Sequence, residues 1–145
     1  TDLRSLNMEI DLGHNDMKCQ NTIEFLKKVS SSCRSIINCE LWIFKLNPTF
    51  IKPFLDIIQL QPLEKMLICV VNIEENTKKI IYALESRTDT LRELIFECLD
   101  FHDIDLSFVS KLECLEKLKF EFCEGLTHSH YVVLSKKKLK ELDIN

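Results

Sequence analysis

A six-residue pattern recurs six times along the 145-residue chain: an apolar residue, two others, an apolar residue, one other, an apolar residue. It reads Leu3-Arg4-Ser5-Leu6-Asn7-Met8, Ile36-Ile37-Asn38-Cys39-Glu40-Leu41 and Leu63-Glu64-Lys65-Met66-Leu67-Ile68. It continues as Leu91-Arg92-Glu93-Leu94-Ile95-Phe96, Leu115-Glu116-Lys117-Leu118-Lys119-Phe120 and Leu139-Lys140-Glu141-Leu142-Asp143-Ile144. Successive first positions are 33, 27, 28, 24 and 24 residues apart. In a strand the side chains alternate faces, so positions four and six point one way and position five the other. The first position marks the turn into the strand and packs under the preceding rung. One such unit cannot bury its apolar face, whereas a stack of them builds a continuous core.

The segments between motifs carry helix signals. Asn21 with Glu24 reads as a cap and its third-position acid ahead of Ile23, Leu26 and Val29. Asn47-Pro48 reads as a cap and first-turn pair leading into Phe50, Phe54, Leu55, Ile57 and Ile58. Pro53 must then fall in the first turn, and Pro62 ends the segment. Asn76 is expected to start a third helix carrying Ile80, Ile81 and Leu84. Thr127 is expected to start a last one with Tyr131, Val132 and Leu134. The linker over 103–114 is short, and predicts a turn or two around Phe108, Val109 and Leu112. Strand and helix alternating in one direction imply an α/β fold, a parallel sheet on one side and helices on the other. The rival doubly wound nucleotide domain needs a Gly-rich phosphate turn. The two glycines, Gly13 and Gly125, lie far apart.

Composition narrows the function. With 19 basic and 23 acidic residues, net charge −4, both signs are interspersed and no basic field for nucleic acid exists. The run Lys136, Lys137, Lys138 reads as a solvated helix end. No stretch approaches the roughly 18 apolar residues of a membrane span. Nor does the chain open with a charged start and an apolar run. The seven cysteines are odd in number and no pair is closer than six residues, so a reduced, intracellular protein (cytoplasmic or nuclear) is expected. His128-Ser129-His130 and His102-Asp103 lack further metal ligands at a recognised spacing, and read as polar turns. No CxxC, HExxH, GxSxG or phosphate loop is present. The expectation is therefore no enzyme, no catalytic residue, no metal and no cofactor.

The residues resemble the leucine-rich-repeat family, whose repeats run at roughly 20–29 residues. The cysteine-containing subclass fits best, since Leu115, Leu118 and Phe120 are followed by Cys123 at the ninth position, where that subclass carries Cys or Asn. Asp11, Phe44, Val71 and Leu99 stand there in other repeats, so the ladder binding the turn backbone is largely lost. The resemblance covers nearly the whole chain. It implies a horseshoe of about six irregular repeats, strands on the concave face and helices on the convex face, as one domain over 1–145. Neither end carries a polar cap, so the chain is expected to be a piece of a longer array with strand edges prone to pair.

Irregular, Cys-bearing arrays also resemble the repeat regions of F-box proteins, which hold substrates for ubiquitin ligases. That resemblance implies a protein-protein interaction module, a substrate adaptor tied to the ligase core by an F-box outside this segment. A leucine-rich-repeat regulator of a small GTPase, with Arg34, Arg87 and Arg92 as candidate arginines, or another scaffold outside ubiquitin transfer, is the alternative. A hydrolase using His128 or His130 lacks a nucleophile.

On a concave face, the partner would meet the outward positions. The fifth are Asn7, Glu40, Leu67, Ile95, Lys119 and Asp143; the seventh are Glu9, Trp42, Cys69, Glu97, Glu121 and Asn145. Trp42, Leu67, Cys69 and Ile95 break the polar rule on three consecutive rungs. Rungs lie ~4.8 Å apart, so these four should form one patch, flanked by Glu40, Glu97, Lys119 and Glu121. A one-residue slip of the second strand would instead put Trp42 inside.

Overall fold

The computed structural model of the chain describes residues 2–12, 17–71 and 75–145, which leaves Gly13 outside the described residues. The six motifs form six strands: β1 (Ser5–Leu12), β2 (Asn38–Leu46), β3 (Lys65–Val70), β4 (Glu93–Glu97), β5 (Lys117–Glu121) and β6 (Glu141–Ile144). All pair in parallel in one sheet, in the order β1-β2-β3-β4-β5-β6. Equivalent positions stand opposite one another: Leu6, Cys39, Met66, Leu94, Leu118 and Leu142 form one row, and Met8, Leu41, Ile68, Phe96, Phe120 and Ile144 another.

The backbone repeats as well. The carbonyl of each second motif residue accepts two N–H groups from the next rung. Arg4 takes those of Ile37 and Asn38, Ile37 those of Glu64 and Lys65, and Glu64 those of Arg92 and Glu93. Arg92 and Glu116 continue the series with Glu116 and Lys117, then Lys140 and Glu141. Past the strands, the eighth positions of the fourth and fifth motifs, Cys98 and Phe122, both take a left-handed backbone, φ 57 and 53.

The connections are α1 (Met17–Ser32), α2 (Ile51–Leu60), α3 (Glu75–Ala83) and α4 (His128–Ser135), with 3₁₀ turns at Pro48–Phe50, Leu84–Arg87 and Ser107–Lys111. Three sequence expectations need correcting. Asn21 is not a cap, because α1 starts at Met17; its buried stripe begins with Cys19 and runs through Ile23, Leu26 and Val29, one turn earlier than the counted apolar residues. Asn47-Pro48 opens a 3₁₀ turn, with α2 following from Ile51 and Pro53 third in it. In α4, Thr127 is the cap as expected, but Tyr131 and Val132 face solvent and the inward pair is His130 and Leu134, one turn apart. The third helix begins one residue before Asn76, and Phe108 and Val109 are buried in the short fourth linker.

One core runs the length of the sheet. Strand positions four and six meet Leu26, Phe54, Ile58, Ile81, Val109 and Leu134 of the connections, and the first positions Ile36, Leu63, Leu91 and Leu115 are buried beneath. Phe101 stands edge-on to Phe96 and Phe120 at 5.3 and 5.2 Å. The connections therefore all pack on one face of the sheet and leave the other open. Leu142 and Ile144 of the edge strand β6 are exposed, at 45 and 39%.

Candidate protein-binding face

Positions five and seven line the open face in two aligned rows. Asn7, Glu40, Leu67, Ile95, Lys119 and Asp143 form one; Glu9, Trp42, Cys69, Glu97 and Glu121 form the other. Leu67, Cys69 and Ile95 are 9, 6 and 7% exposed, and they form a second apolar cluster, separate from the core, with half-buried Trp42 packed on it. Its neighbours Leu41 and Ile43 are buried in the main core, so β2 has not slipped. The sequence pattern located these four residues together. It predicted all four open to solvent, whereas three cover one another across ~4.8 Å rungs and Trp42 forms the outer surface.

Charge is distributed unevenly. Lys65 pairs with Glu93 at 3.5 Å, Lys117 with Glu141 at 3.4 Å, and Glu116 with both Arg92 and Lys140 at 3.2 and 2.9 Å. Lys119, expected to flank the patch, turns to Glu141 at 2.7 Å. That hydrogen bond and the adjacent carboxylate raise the Lys119 pKa and lower that of Glu141. Glu40 accepts from the Asn7 amide at 3.0 Å. Glu97 and Glu121, side by side on β4 and β5, have no ion pair among the described residues, and neither does Glu9 beside Trp42. The patch is thus an indole on an apolar bed, edged by carboxylates that meet no cation among the described residues.

Sequence reasoning missed Cys98. The left-handed turn after β4 returns its thiol to the end of the patch. There Cys69 Sγ, a Glu97 carboxylate oxygen and Cys98 Sγ all lie within 4.8 Å of one another. Burial, then the charges of Cys98 and Glu97, push the Cys69 thiol up to about 12. Cys123 is raised to about 11, mainly by burial, and its Sγ donates to the carbonyls of Phe96 at 3.3 Å and Glu121 at 3.4 Å. The usable signal was register: position seven of one rung lies beside positions seven and eight of the next.

Two of the histidines, His130 and His102, are hydrogen-bonded to neighbouring groups. His130 Nδ1 accepts from the Thr127 N–H at 2.8 Å, and its Nε2 donates to the Ile104 carbonyl at 2.7 Å. Both ring nitrogens are therefore used. His102 pairs with Asp100 at 2.5 Å, and not with Asp103. A cleft of about 370 Å³ near them is lined by His102, Asp105, Ser129 and His130, and the Ser129 hydroxyl is hydrogen-bonded to that of Thr127 at 2.8 Å. Comparison with family models, curated proteins and solved structures finds no match.

Proposed function

We propose that the chain is an irregular leucine-rich-repeat horseshoe whose open, concave face holds another protein, with Trp42 as the anchor. The carrying observation is the second apolar cluster, made of strand positions that elsewhere on the same face are polar. The five-fold repetition of the paired carbonyl, and the Cys123 thiol on the turn backbone, support the repeat assignment. A central aromatic on an apolar bed with a polar rim is the usual anatomy of an interaction hot spot. The carboxylates Glu9, Glu97 and Glu121 call for a partner that presents an apolar side chain among basic ones.

The partner class comes from the resemblance to F-box proteins: a substrate held for a ubiquitin ligase, with an F-box elsewhere in the protein joining the ligase core. The regulator of a small GTPase is less favoured because its arginines are engaged. Arg34 donates to the Ser30 and Cys33 carbonyls, Arg87 to the Gln61 carbonyl, and Arg92 pairs with Glu116. A photo-crosslinking residue at Glu40 or Glu121 should give one discrete adduct in cells, lost with Trp42→Ala, while the same probe at Tyr131 on the helix side should not. Equal labelling from both faces would refute the reading.

A further inference from the structure

We infer that Cys69, Glu97 and Cys98 form a binding site for a thiophilic divalent cation, Zn²⁺ above all, at the edge of the open face. Three potential ligand atoms of the right chemistry, two sulfurs and a carboxylate oxygen, converge within 4.8 Å. In a zinc site, ligands at about 2.0–2.3 Å from the metal stand roughly 3.3–3.8 Å apart, so atoms no more than 4.8 Å from one another are within a small side-chain adjustment of that spacing. Cys98 is exposed, at the surface end of the site, while Cys69 is held in the packed cluster as the fixed ligand.

The surroundings favour a cation. Glu97 has Glu121 beside it on the next rung, and among the described residues neither carboxylate meets a positive group. Cys69 and Cys98 sit on consecutive rungs, so one ion would tie β3 to the turn after β4. Two sulfurs with one oxygen select zinc-like metals over magnesium or calcium, which take oxygen ligands. Binding is balanced as Zn²⁺ plus two thiols and one carboxylate giving the bound metal and two released protons. Water would complete the tetrahedron.

The site is testable on the reduced full chain with metal alone, and its outcome is independent of any protein partner. Co²⁺ should give a thiolate-to-cobalt charge-transfer band and tetrahedral d–d bands, discharged by one equivalent of Zn²⁺. Because Trp42 lies beside Cys69 in the register, Co²⁺ should also quench the chain's only tryptophan. Zn²⁺ should release about two protons per chain. Cys98→Ser, at an exposed position, removes a ligand and should weaken binding by at least the ~10–100-fold that loss of a supporting group costs a metal site, and Glu97→Gln should weaken it less. Cys114→Ser, whose thiol bonds to the Asp89 carbonyl instead, should bind as the parent does. Absence of the charge-transfer band, including through a Cys69–Cys98 disulfide that persists in reductant, overturns the site. So does a Cys98→Ser variant that binds Co²⁺ as tightly as the parent.

Discussion

The side-chain amide of Gln61 donates to the carbonyl of Cys33 at 2.8 Å, joining two connections 28 residues apart. Gln61 is fully buried, and its amide oxygen accepts the Ile36 N–H at 3.3 Å. It thus supplies the polar partners where the chain turns out of α1 into the second rung. Gln61→Leu keeps much of the volume but leaves the Ile36 N–H unpaired in the core. The expected loss is about 1–3 kcal/mol, read as a lower urea midpoint at constant slope. The exposed neighbour Gln59, changed the same way, should move stability by no more than ~0.5 kcal/mol.

The repeat predicts unequal costs at equivalent positions. Leu118 and Leu142 are partners in register, yet Leu118 is fully buried and Leu142 is 45% exposed. Leu118→Ala should cost roughly 2–5 kcal/mol as a core truncation. Leu142→Ala should cost only about 1 kcal/mol, because roughly half of its surface stays in water on folding. Comparable losses in urea unfolding would mean that the rungs do not stack as described.

Strand positions and their faces were legible because a period of two, repeated six times, overdetermines the register. Trp42 is the example: its burial partners follow once Leu41 and Ile43 are assigned to the core. Helix starts were less legible. Asn21 had the chemistry of a cap, but Cys19 extends the buried stripe back a turn, and burial outweighs a cap worth about 1 kcal/mol. Cys98 was legible only as far as register sets it beside Cys69, because the direction of its thiol depends on a left-handed turn filled by a residue other than glycine. Lys119 was assigned to the patch by register alone, and the Glu141 carboxylate draws it away.

His102 gives a pH prediction with a definite sign. The ring's hydrogen bond to Asp100 and that carboxylate's charge raise the imidazole above its ordinary 6.5, while the His102 backbone N–H, and then the ring, hold the Asp100 carboxyl below its ordinary 3.8. The His102 contribution to stability is therefore complete below pH 6.5 and is lost as pH rises through the higher folded value. The Asp100 contribution is present above 3.8 and fades as pH falls through its depressed folded value. An NMR titration should place the His102 midpoint above 6.5, and Asp100→Asn should bring it back towards that value. A midpoint unchanged by Asp100→Asn would remove the pair as the cause.

Trp42 supplies the last prediction, because fluorescence and stability must agree on where its indole lies. Half-buried on Leu67, Cys69 and Ile95, it should emit to the red of a core tryptophan and be quenched by acrylamide. Trp42→Ala removes packing on one side only, so it should cost about 1–2 kcal/mol of folding free energy, half of a fully buried side chain's contribution or slightly more. That is less than the loss at Leu118. A protein docking on the open face would dry the ring and move its emission to the blue. The same substitution should then weaken binding by about 2 kcal/mol or more, roughly 30-fold. Blue emission in the free chain, together with a loss of roughly 3–5 kcal/mol in the variant, is the signature of a core aromatic. That pair of results would place Trp42 inside and leave the open face without its anchor.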